Sequence, residues 1–311
     1  MSAKGRILAT AAICAVAVAL PEIAEARDAD TALERLLHDD RHTVLVASHR
    51  ACWKKTSENS IDGIRRCAAD GIDIVEIDVR TARDGVLVLM HDETVDRTTD
   101  GRGAVADLTA SDIARLRLRE RGGGPGTELT GRRVPTFAEA LAAVRGRVLM
   151  NIDVKAAALD RVIDAVVAAR ATRAVILNVP IDVDPSTMRR ARSLGIATQP
   201  VYLERQYKGS AAAALTHAAA LKPTSIQLIF DTPSVLDTAH RTTAGTRLFV
   251  NTMAFDIERG TPMNLSGPYL DTRAVTDPEA IWGTLIKRGV TIIQTDEPWR
   301  LRKWLKAKKL R

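Results

Sequence analysis

The sequence has few of the residues that define disulfide-bonded or nucleic-acid-binding proteins. Among 311 residues it holds 3 Cys, 4 Trp, 3 Tyr and 4 Phe. Three cysteines cannot hold together a chain of this length, so a hydrophobic core has to stabilise it. So few aromatic rings offer little surface for stacking bases. The net charge of +7 is matched by the seven Lys and Arg of residues 300–311, so the distributed basic face of a nucleic-acid-binding protein is also missing.

Long apolar runs are absent as well. The uncharged stretch Ile7–Leu20 follows Lys4 and Arg6 and is shorter than the roughly 18 residues that a bilayer-spanning helix needs. It precedes Ala24-Glu25-Ala26, which has the small-x-small pattern of a signal peptidase site. We therefore expect residues 1–26 to be a signal peptide cleaved near Ala26, with the mature protein periplasmic or secreted. A retained membrane anchor is the alternative.

Cysteine use agrees with export but does not settle the pairing. Cys14 lies inside the expected signal peptide, which leaves Cys52 and Cys67 in the mature chain. An oxidising compartment would permit one disulfide between them, but spacing alone leaves that bond open.

Short apolar runs alternate with helical patterns along residues 27–311, which we expect to form one domain. Nine strands are predicted, at Val44–Ser48, Ile72–Val79, Val86–Met90, Val148–Val154, Val175–Val179, Ala197–Tyr202, Ile226–Phe230, Leu248–Asn251 and Val290–Gln294. Helices are predicted at Ile61–Ala69, Phe137–Val144, Leu159–Ala169, Thr187–Leu194, Ala211–Leu221, Ser234–Thr242 and Pro278–Arg288. Such repetition is typical of a parallel sheet.

The second and third predicted strands break the pattern. Only Arg80–Gly85 joins them, which is too short for a parallel crossover, and Asp84-Gly85 favours a two-residue hairpin turn. The third strand is then an antiparallel extension, and eight parallel strands remain, the number that closes a (β/α)8 TIM barrel. Residues Thr94–Arg133 are Gly-rich in parts and are predicted to form an irregular excursion over one barrel face.

This hairpin carries candidate catalytic side chains. Glu76 and Asp78 are two residues apart on a strand and therefore share one face. With Asp84-Gly85 as a two-residue turn, Asp78 faces His91 across the ladder. A solvent-facing pair on an edge hairpin is the alternative.

Further polar residues stand where predicted strands end, which is where barrels carry their chemistry. His49 and Arg50 follow the first strand, and Asp153 and Lys155 share a face at the end of another. Asp153 either binds a cation or holds Lys155 in an ion pair. Together these residues predict a phosphate site (Arg50, Lys155), a divalent-cation site (Glu76, Asp78, Asp153) and two acid/base groups (His49, His91). Glu58 and Asn59 either support this site or cap the first helix.

In order and spacing the sequence resembles the glycerophosphodiester phosphodiesterase family. The resemblance rests on His49-Arg50, Glu58-Asn59, Gly71 to Val79, Asp84-Gly85, His91-Asp92, Arg97-Thr98-Thr99, Gly103, Val134-Pro135-Thr136, Asp153-Val154-Lys155 and Gly289 to Pro298. It implies a (β/α)8 barrel that uses one divalent cation, Mg²⁺ or Ca²⁺, to hydrolyse glycerophosphodiesters to sn-glycerol 3-phosphate and an alcohol. By position it makes His49 and His91 the acid/base pair, Arg50 and Lys155 the phosphate contacts, and Glu76 and Asp78 metal ligands.

Two other functions stay open at this stage. A phospholipase D-type enzyme for lysophospholipids or sphingolipids would need an apolar entrance, near Trp53 or within Thr94–Arg133. A non-catalytic phosphodiester-binding protein would need neither histidine. The basic C-terminal segment has an apolar stripe at Leu301, Trp304 and Leu305, which predicts a final helix docked on the barrel, with peripheral membrane contact as the alternative.

Overall fold

The computed structural model describes residues 32–37, 43–243 and 245–311, so the predicted signal peptide lies outside the described residues. In chain order the strands are β1 Leu45–Ser48, β2 Ile74–Thr81, β3 Leu87–Leu89, β4 Arg117–Arg119, β5 Leu129–Arg133, β6 Leu149–Ala156, β7 Val175–Pro180, β8 Ala197–Leu203, β9 Ser225–Ile229, β10 Arg247–Asn251, β11 Phe255–Asp256, β12 Thr261–Pro262 and β13 Val290–Thr295. All nine predicted strands are present, with ends shifted by one or two residues.

Eight parallel strands close into a barrel. The order is β1, β13, β10, β9, β8, β7, β6 and β2, and β1 pairs with β2 to complete the ring. The predicted TIM barrel is therefore confirmed. Because β1 pairs with β13, the first and last barrel strands of the chain are neighbours in the sheet.

The β2–β3 hairpin is antiparallel as predicted, but its predicted register is wrong by one residue. Ala82 pairs with Val86 around a three-residue loop, and Met90 rather than His91 lies opposite Asp78. A two-residue type I′ turn needs positive φ at both Asp84 and Gly85, but only Gly85 has it, with a φ of 84° that fits the last position of a three-residue loop. His91 follows the ladder, and Arg80 Nε donates to its carbonyl oxygen at 2.9 Å.

Helices surround the barrel. They are α1 Ile61–Ala69, α2 Ala110–Ile113, α3 Phe137–Val144, α4 Leu159–Ala168, α5 Pro185–Ser193, α6 Ala211–Ala220, α7 Ser234–Thr242, α8 Asp271–Ala274, α9 Thr284–Lys287 and α10 Pro298–Ala307. The predicted helix Pro278–Arg288 begins with a π-helical segment, Glu279–Gly283, before α9. None of the described helices is long and apolar enough to cross a bilayer.

The main core lies between the sheet and this helical layer. Ile77 and Val79 point outward from β2 into it, which leaves the alternate face of β2 to Glu76 and Asp78. In α10, Leu301 and Leu305 are fully buried and Trp304 packs against Trp282, so the predicted docked helix is confirmed. Membrane contact by the basic segment stays a prediction.

The barrel interior changes from apolar to polar along its axis. At the amino ends of the strands the inward side chains are mainly aliphatic, and residues 32–37 form a helix packed against them. One inward position further along stands a belt of buried carboxamides, which we call the carboxamide belt: Asn151, Asn178, Gln199, Gln227, Asn251 and Gln294. Polar side chains at this depth are unusual because TIM-barrel interiors are dominated by Val, Ile and Leu.

Candidate active site

A cavity of about 590 Å³ opens where the barrel strands end at their carboxyl ends. Its charged lining residues belong to one half, which we call the charged half: His49, Arg50, Glu76, Asp78, His91, Asp153 and Lys155. The opposite half, at the ends of β7 to β10 and in the following loops, we call the aliphatic wall: Val179, Pro180, Val201, Leu203, Ile229, Met253, Met263 and Leu265. The belt side chains Asn178, Gln227, Asn251 and Gln294 also line the cavity.

A second groove, of about 690 Å³, lies beside α1 and β5. Of its four acidic side chains, Asp62 and Glu120 are paired with Arg132 and Glu139 caps α3, and no histidine lines the groove. The cavity at the strand ends is therefore the candidate site.

Three carboxylates meet in the charged half. Ligand atoms of Glu76, Asp78 and Asp153 lie within 4.8 Å of one another, and the first two side chains are buried. Burial, reinforced by the charges of Asp78 and Asp153, raises the pKa of Glu76 well above its usual value. An oxygen-only set of closely spaced carboxylates fits a hard divalent cation, which would remove their mutual repulsion.

Lys155 stands against this triplet. Its Nζ lies 2.7 Å from Asp153 Oδ2 and 3.3 Å from Asp78 Oδ1. Burial would lower the pKa of Lys155, but the two carboxylates outweigh it and raise it. Burial likewise favours a raised pKa for Asp78, and the charges of Lys155, His91 and Arg50 lower it instead. Asp153 therefore makes the ion pair with Lys155 and belongs to the carboxylate triplet at the same time.

Arg50 follows β1 in a left-handed backbone conformation, with φ of 44°. Its backbone N–H donates to Glu76 Oε2 at 2.9 Å, and its Nη1 lies 3.3 Å from both oxygens of Glu58. Its Nε is buried with no hydrogen-bond partner among the described residues, although the side chain lines the cavity. Cys52 and Cys67 form a disulfide, with Cα atoms 5.9 Å apart, that ties this loop to α1.

Glu58 and Asn59 support the site rather than cap α1, so the capping alternative is wrong. Ser60 is the cap, because its side chain accepts the N–H of Gly63. Asn59 Nδ2 donates to Asp78 Oδ2 at 2.8 Å and its Oδ1 accepts the Asp78 N–H at 3.0 Å. Asn59 thus fixes Asp78 through both the side chain and the backbone.

His49 is held by a carboxylate from the last barrel strand. Its Nδ1 lies 2.9 Å from Asp296 Oδ1, which also accepts the indole N–H of Trp53 at 2.6 Å. Burial favours a raised pKa for Asp296, yet the pairing with His49 and the Trp53 hydrogen bond lower it. With Nδ1 engaged, Nε2 of His49 is the nitrogen left for proton transfer.

His91 is held in the same way by its neighbour. Its Nδ1 lies 3.0 Å from Asp92 Oδ1, and Arg97 binds both Asp92 oxygens at 2.7 Å. Arg97 also binds Glu58, at 2.8 and 2.9 Å, and so links the supports of His91 and Arg50. Glu258 Oε2 lies 3.6 Å from the same His91 nitrogen.

All nine residues predicted for the site meet in this region. Sequence patterns assign no role to the residues that hold the histidines, although Asp92, Arg97 and Asp296 belong to the motifs of the resemblance. Asp271 was not predicted at all; it accepts the hydroxyls of Thr252 and Thr295 and the Asp296 N–H. Burial raises the pKa of Asp271 to about 6, and no local pattern marks this residue.

The fold and the cavity define a (β/α)8 barrel with two histidine–carboxylate pairs, two cationic side chains and three clustered carboxylates around one mouth. Residues 49–198 match the model of the glycerophosphoryl diester phosphodiesterase family. Through these residues, just under half of the chain, it is similar to that family. A second model, described only as a domain of unknown function, matches residues 203–305.

Two curated relatives match a little over a third of the chain. A glycerophosphodiester phosphodiesterase of Caldanaerobacter subterraneus is 40% identical over 112 residues, which cover 36% of this chain and 45% of the relative. Glycerophosphodiester phosphodiesterase 1 of Mus musculus is 38% identical over 122 residues, 37% of this chain and 35% of the relative. The chain thus spans less than half the length of either relative.

Solved structures extend the likeness of the fold to most of the chain. A glycerophosphoryl diester phosphodiesterase from Parabacteroides distasonis has a TM-score of 0.67 and 22% identity, covering 90% of this chain and 92% of that one. An Oleispira antarctica phosphodiesterase, solved with the product sn-glycerol-3-phosphate, has a TM-score of 0.58 and 18% identity, covering 84% and 96%.

Proposed function

We propose that the chain hydrolyses glycerophosphodiesters to sn-glycerol 3-phosphate and an alcohol, with the help of one divalent cation. The observation that carries this proposal is the meeting, at one barrel mouth, of three carboxylates, two cations and two carboxylate-held imidazoles. The family and its relatives support the same reaction.

The side chains divide the work by their chemistry. Arg50, whose Nε makes no hydrogen bond and lies 3.8 Å from Asp78 Oδ2, and Lys155 bind the non-bridging phosphate oxygens and offset their charge. His49 accepts the proton of the attacking hydroxyl at Nε2, whether that hydroxyl is a neighbouring one of the substrate or water, and Asp296 stabilises the imidazolium. His91 donates a proton to the leaving alkoxide.

Glu76, Asp78 and Asp153 would hold the cation. When bound, it supplies further charge neutralisation at the phosphate. Asn59 keeps Asp78 oriented toward this site.

The test is turnover of a soluble glycerophosphodiester with product identification. Chelation should abolish release of sn-glycerol 3-phosphate, and Mg²⁺ or Ca²⁺ should restore it. Cation binding is measured separately as a rise in Tm, which Glu76→Gln should remove. Full activity in a demetallated sample would contradict the cation role, and absence of sn-glycerol 3-phosphate would contradict the reaction.

The aliphatic wall favours a second candidate, a phospholipase D-type enzyme that acts on lysophospholipids or sphingolipids. Most of the apolar lining of the cavity comes from this wall, and neither Trp53 nor Thr94–Arg133 contributes to that lining. Headgroup release from lipid vesicles, compared with turnover of soluble diesters, distinguishes the two enzymes. The third candidate, a non-catalytic phosphodiester-binding protein, is disfavoured because it would have no use for the two histidine–carboxylate pairs.

We also propose that the mature protein is exported. The Cys52–Cys67 disulfide supports this, since such bonds persist in oxidising compartments. N-terminal sequencing of the protein from the periplasm or medium of a bacterial host should begin near Arg27. Recovery of the uncleaved chain in the membrane fraction would favour the anchor instead.

A further inference from the structure

The half of the cavity formed by the aliphatic wall has no charged lining side chain among the described residues. An ammonium or a carboxylate that entered it would lose hydration without gaining a counter-charge. Carbon atoms, in contrast, would pack against Val201, Ile229 and Met253. This half therefore suits an uncharged group.

The carboxamide belt forms the floor beneath this half. Asn178 Oδ1 accepts from Asn151 at 2.7 Å and from Gln199 at 2.9 Å. Gln227 Oε1 accepts from Gln199 at 3.1 Å and from Asn178 at 3.4 Å. The carbonyl oxygens of these two floor residues are satisfied within the belt.

Asn251 is the exception among the carboxamides that line the cavity. Its side chain is only 2% exposed, and its Oδ1 has no hydrogen-bond partner among the described residues. A buried acceptor of this kind is destabilising until a donor reaches it. Asn251 lines the cavity, and a turn of its carboxamide about χ2 would bring Oδ1 to a donor on a bound molecule.

We propose that this half of the cavity is the subsite for the alcohol of the diester, and that Asn251 selects an uncharged alcohol carrying a free hydroxyl. The inference rests on the proposed function, which supplies the phosphate position in the charged half. The hydroxyl donates to Asn251 Oδ1 while its carbon chain contacts the aliphatic wall. A long acyl chain would fit the wall but would cover the Asn251 oxygen with hydrocarbon, so the lipid substrate is disfavoured.

The experiment compares kcat/KM for three diesters that share glycerol and phosphate: glycerophosphoglycerol, glycerophosphocholine and glycerophosphoethanolamine. The full chain with Mg²⁺ or Ca²⁺ should prefer glycerophosphoglycerol by about 10-fold or more. Asn251→Leu, which keeps the branching at Cγ but removes the polar atoms, should lower kcat/KM for glycerophosphoglycerol by about 10- to 100-fold and change the other two by less than about 3-fold. The preference should therefore disappear.

Two further variants keep the test decisive. Asn151→Leu alters the same belt at a position that does not line the cavity, and it should leave the ratio of the three rates unchanged. If Asn251→Leu does not fold, Asn251→Asp is used, whose carboxylate should shift the preference toward glycerophosphoethanolamine.

Several outcomes overturn the proposal. An equal loss on all three diesters in Asn251→Leu would assign Asn251 to the shared glycerol, and a lysophospholipid turned over faster than all three would assign the wall to an acyl chain. Turnover without any preference would overturn the alcohol assignment alone. Absence of turnover on every diester would overturn the proposed function as well.

Discussion

The two halves of the barrel mouth are built on the same scaffold but depend on the sequence in different ways. In the charged half, each side chain is held by a specific partner, as His49 is by Asp296 and Asp78 is by Asn59. In the aliphatic wall, residues such as Val201 and Ile229 only fill space. Chemistry that needs imidazole or carboxylate admits few replacements, whereas a wall admits any aliphatic side chain of suitable size.

This difference agrees with the distribution of likeness along the chain. The family match covers residues 49–198, which supply every charged lining residue of the cavity. Most of the aliphatic wall comes from residues beyond that match. The aliphatic wall can therefore change in the second half of the barrel without any change to the charged lining residues.

The largest expected effect lies in the charged half. His49→Ala and His91→Ala should each lower kcat by roughly 10²- to 10⁴-fold, since each removes an acid/base group. His217→Ala, at an exposed position on α6, is the control and should leave kcat unchanged. Normal turnover in either test variant would make that histidine structural.

A smaller effect separates the roles of Asp153 and Lys155. Asp153→Asn should raise the cation concentration for half-maximal activity by about 10-fold or more, whereas Lys155→Ala should mainly raise KM. Both are measured by titrating Mg²⁺ or Ca²⁺ at several substrate concentrations. If Asp153→Asn instead reproduces the Lys155→Ala behaviour with an unchanged cation requirement, Asp153 only orients Lys155.

The fold was largely readable from the sequence because strand and helix patterns are local. All nine strands were predicted, since alternation and β-branched runs persist whatever their neighbours are. The hairpin register was not predicted correctly, because Asp84-Gly85 suits loops of both two and three residues. Only the cross-strand pairing of Ala82 with Val86 decides between them.

The site was predicted less evenly. Residues that carry reactive groups, such as His49 and Glu76, stood out at strand ends. Their supports were not assigned, because contacts such as Arg97 with Glu58 join residues 39 positions apart. The aliphatic wall was not predicted for a similar reason, since its members look like ordinary core residues in sequence.

The aliphatic wall should give a moderate effect that is confined to substrate fit. Ile229→Ala should raise KM by about 10-fold, because it removes apolar contact with the bound substrate, and should leave the cation requirement unchanged. Val167→Ala, at an exposed position on α4, is the matched control. A changed cation requirement in Ile229→Ala would show that the two halves are not separable.

The last prediction concerns stability rather than turnover. Asp271 joins the two halves by binding Thr252 after β10 and Thr295 of β13. Its folded pKa of about 6 lies above that of an unfolded Asp, near 3.9, so the native state retains this proton between those values. Stability from this group is therefore fully present below pH 4 and is lost as pH rises to about 6.

Asp271→Asn should remove this pH dependence. The asparagine keeps an oxygen for the two hydroxyls but turns an amide N–H toward the Asp296 N–H, at a cost that is the same at every pH. Urea unfolding at pH 4.5 and 7.5 measures the effect. Between these values the free energy of unfolding should fall by about 2 kcal/mol more in the parent chain than in the variant. Equal changes in both proteins would mean that Asp271 ionises alike in the folded and unfolded states. Its contacts with Thr252 and Thr295 would then not depend on its protonation.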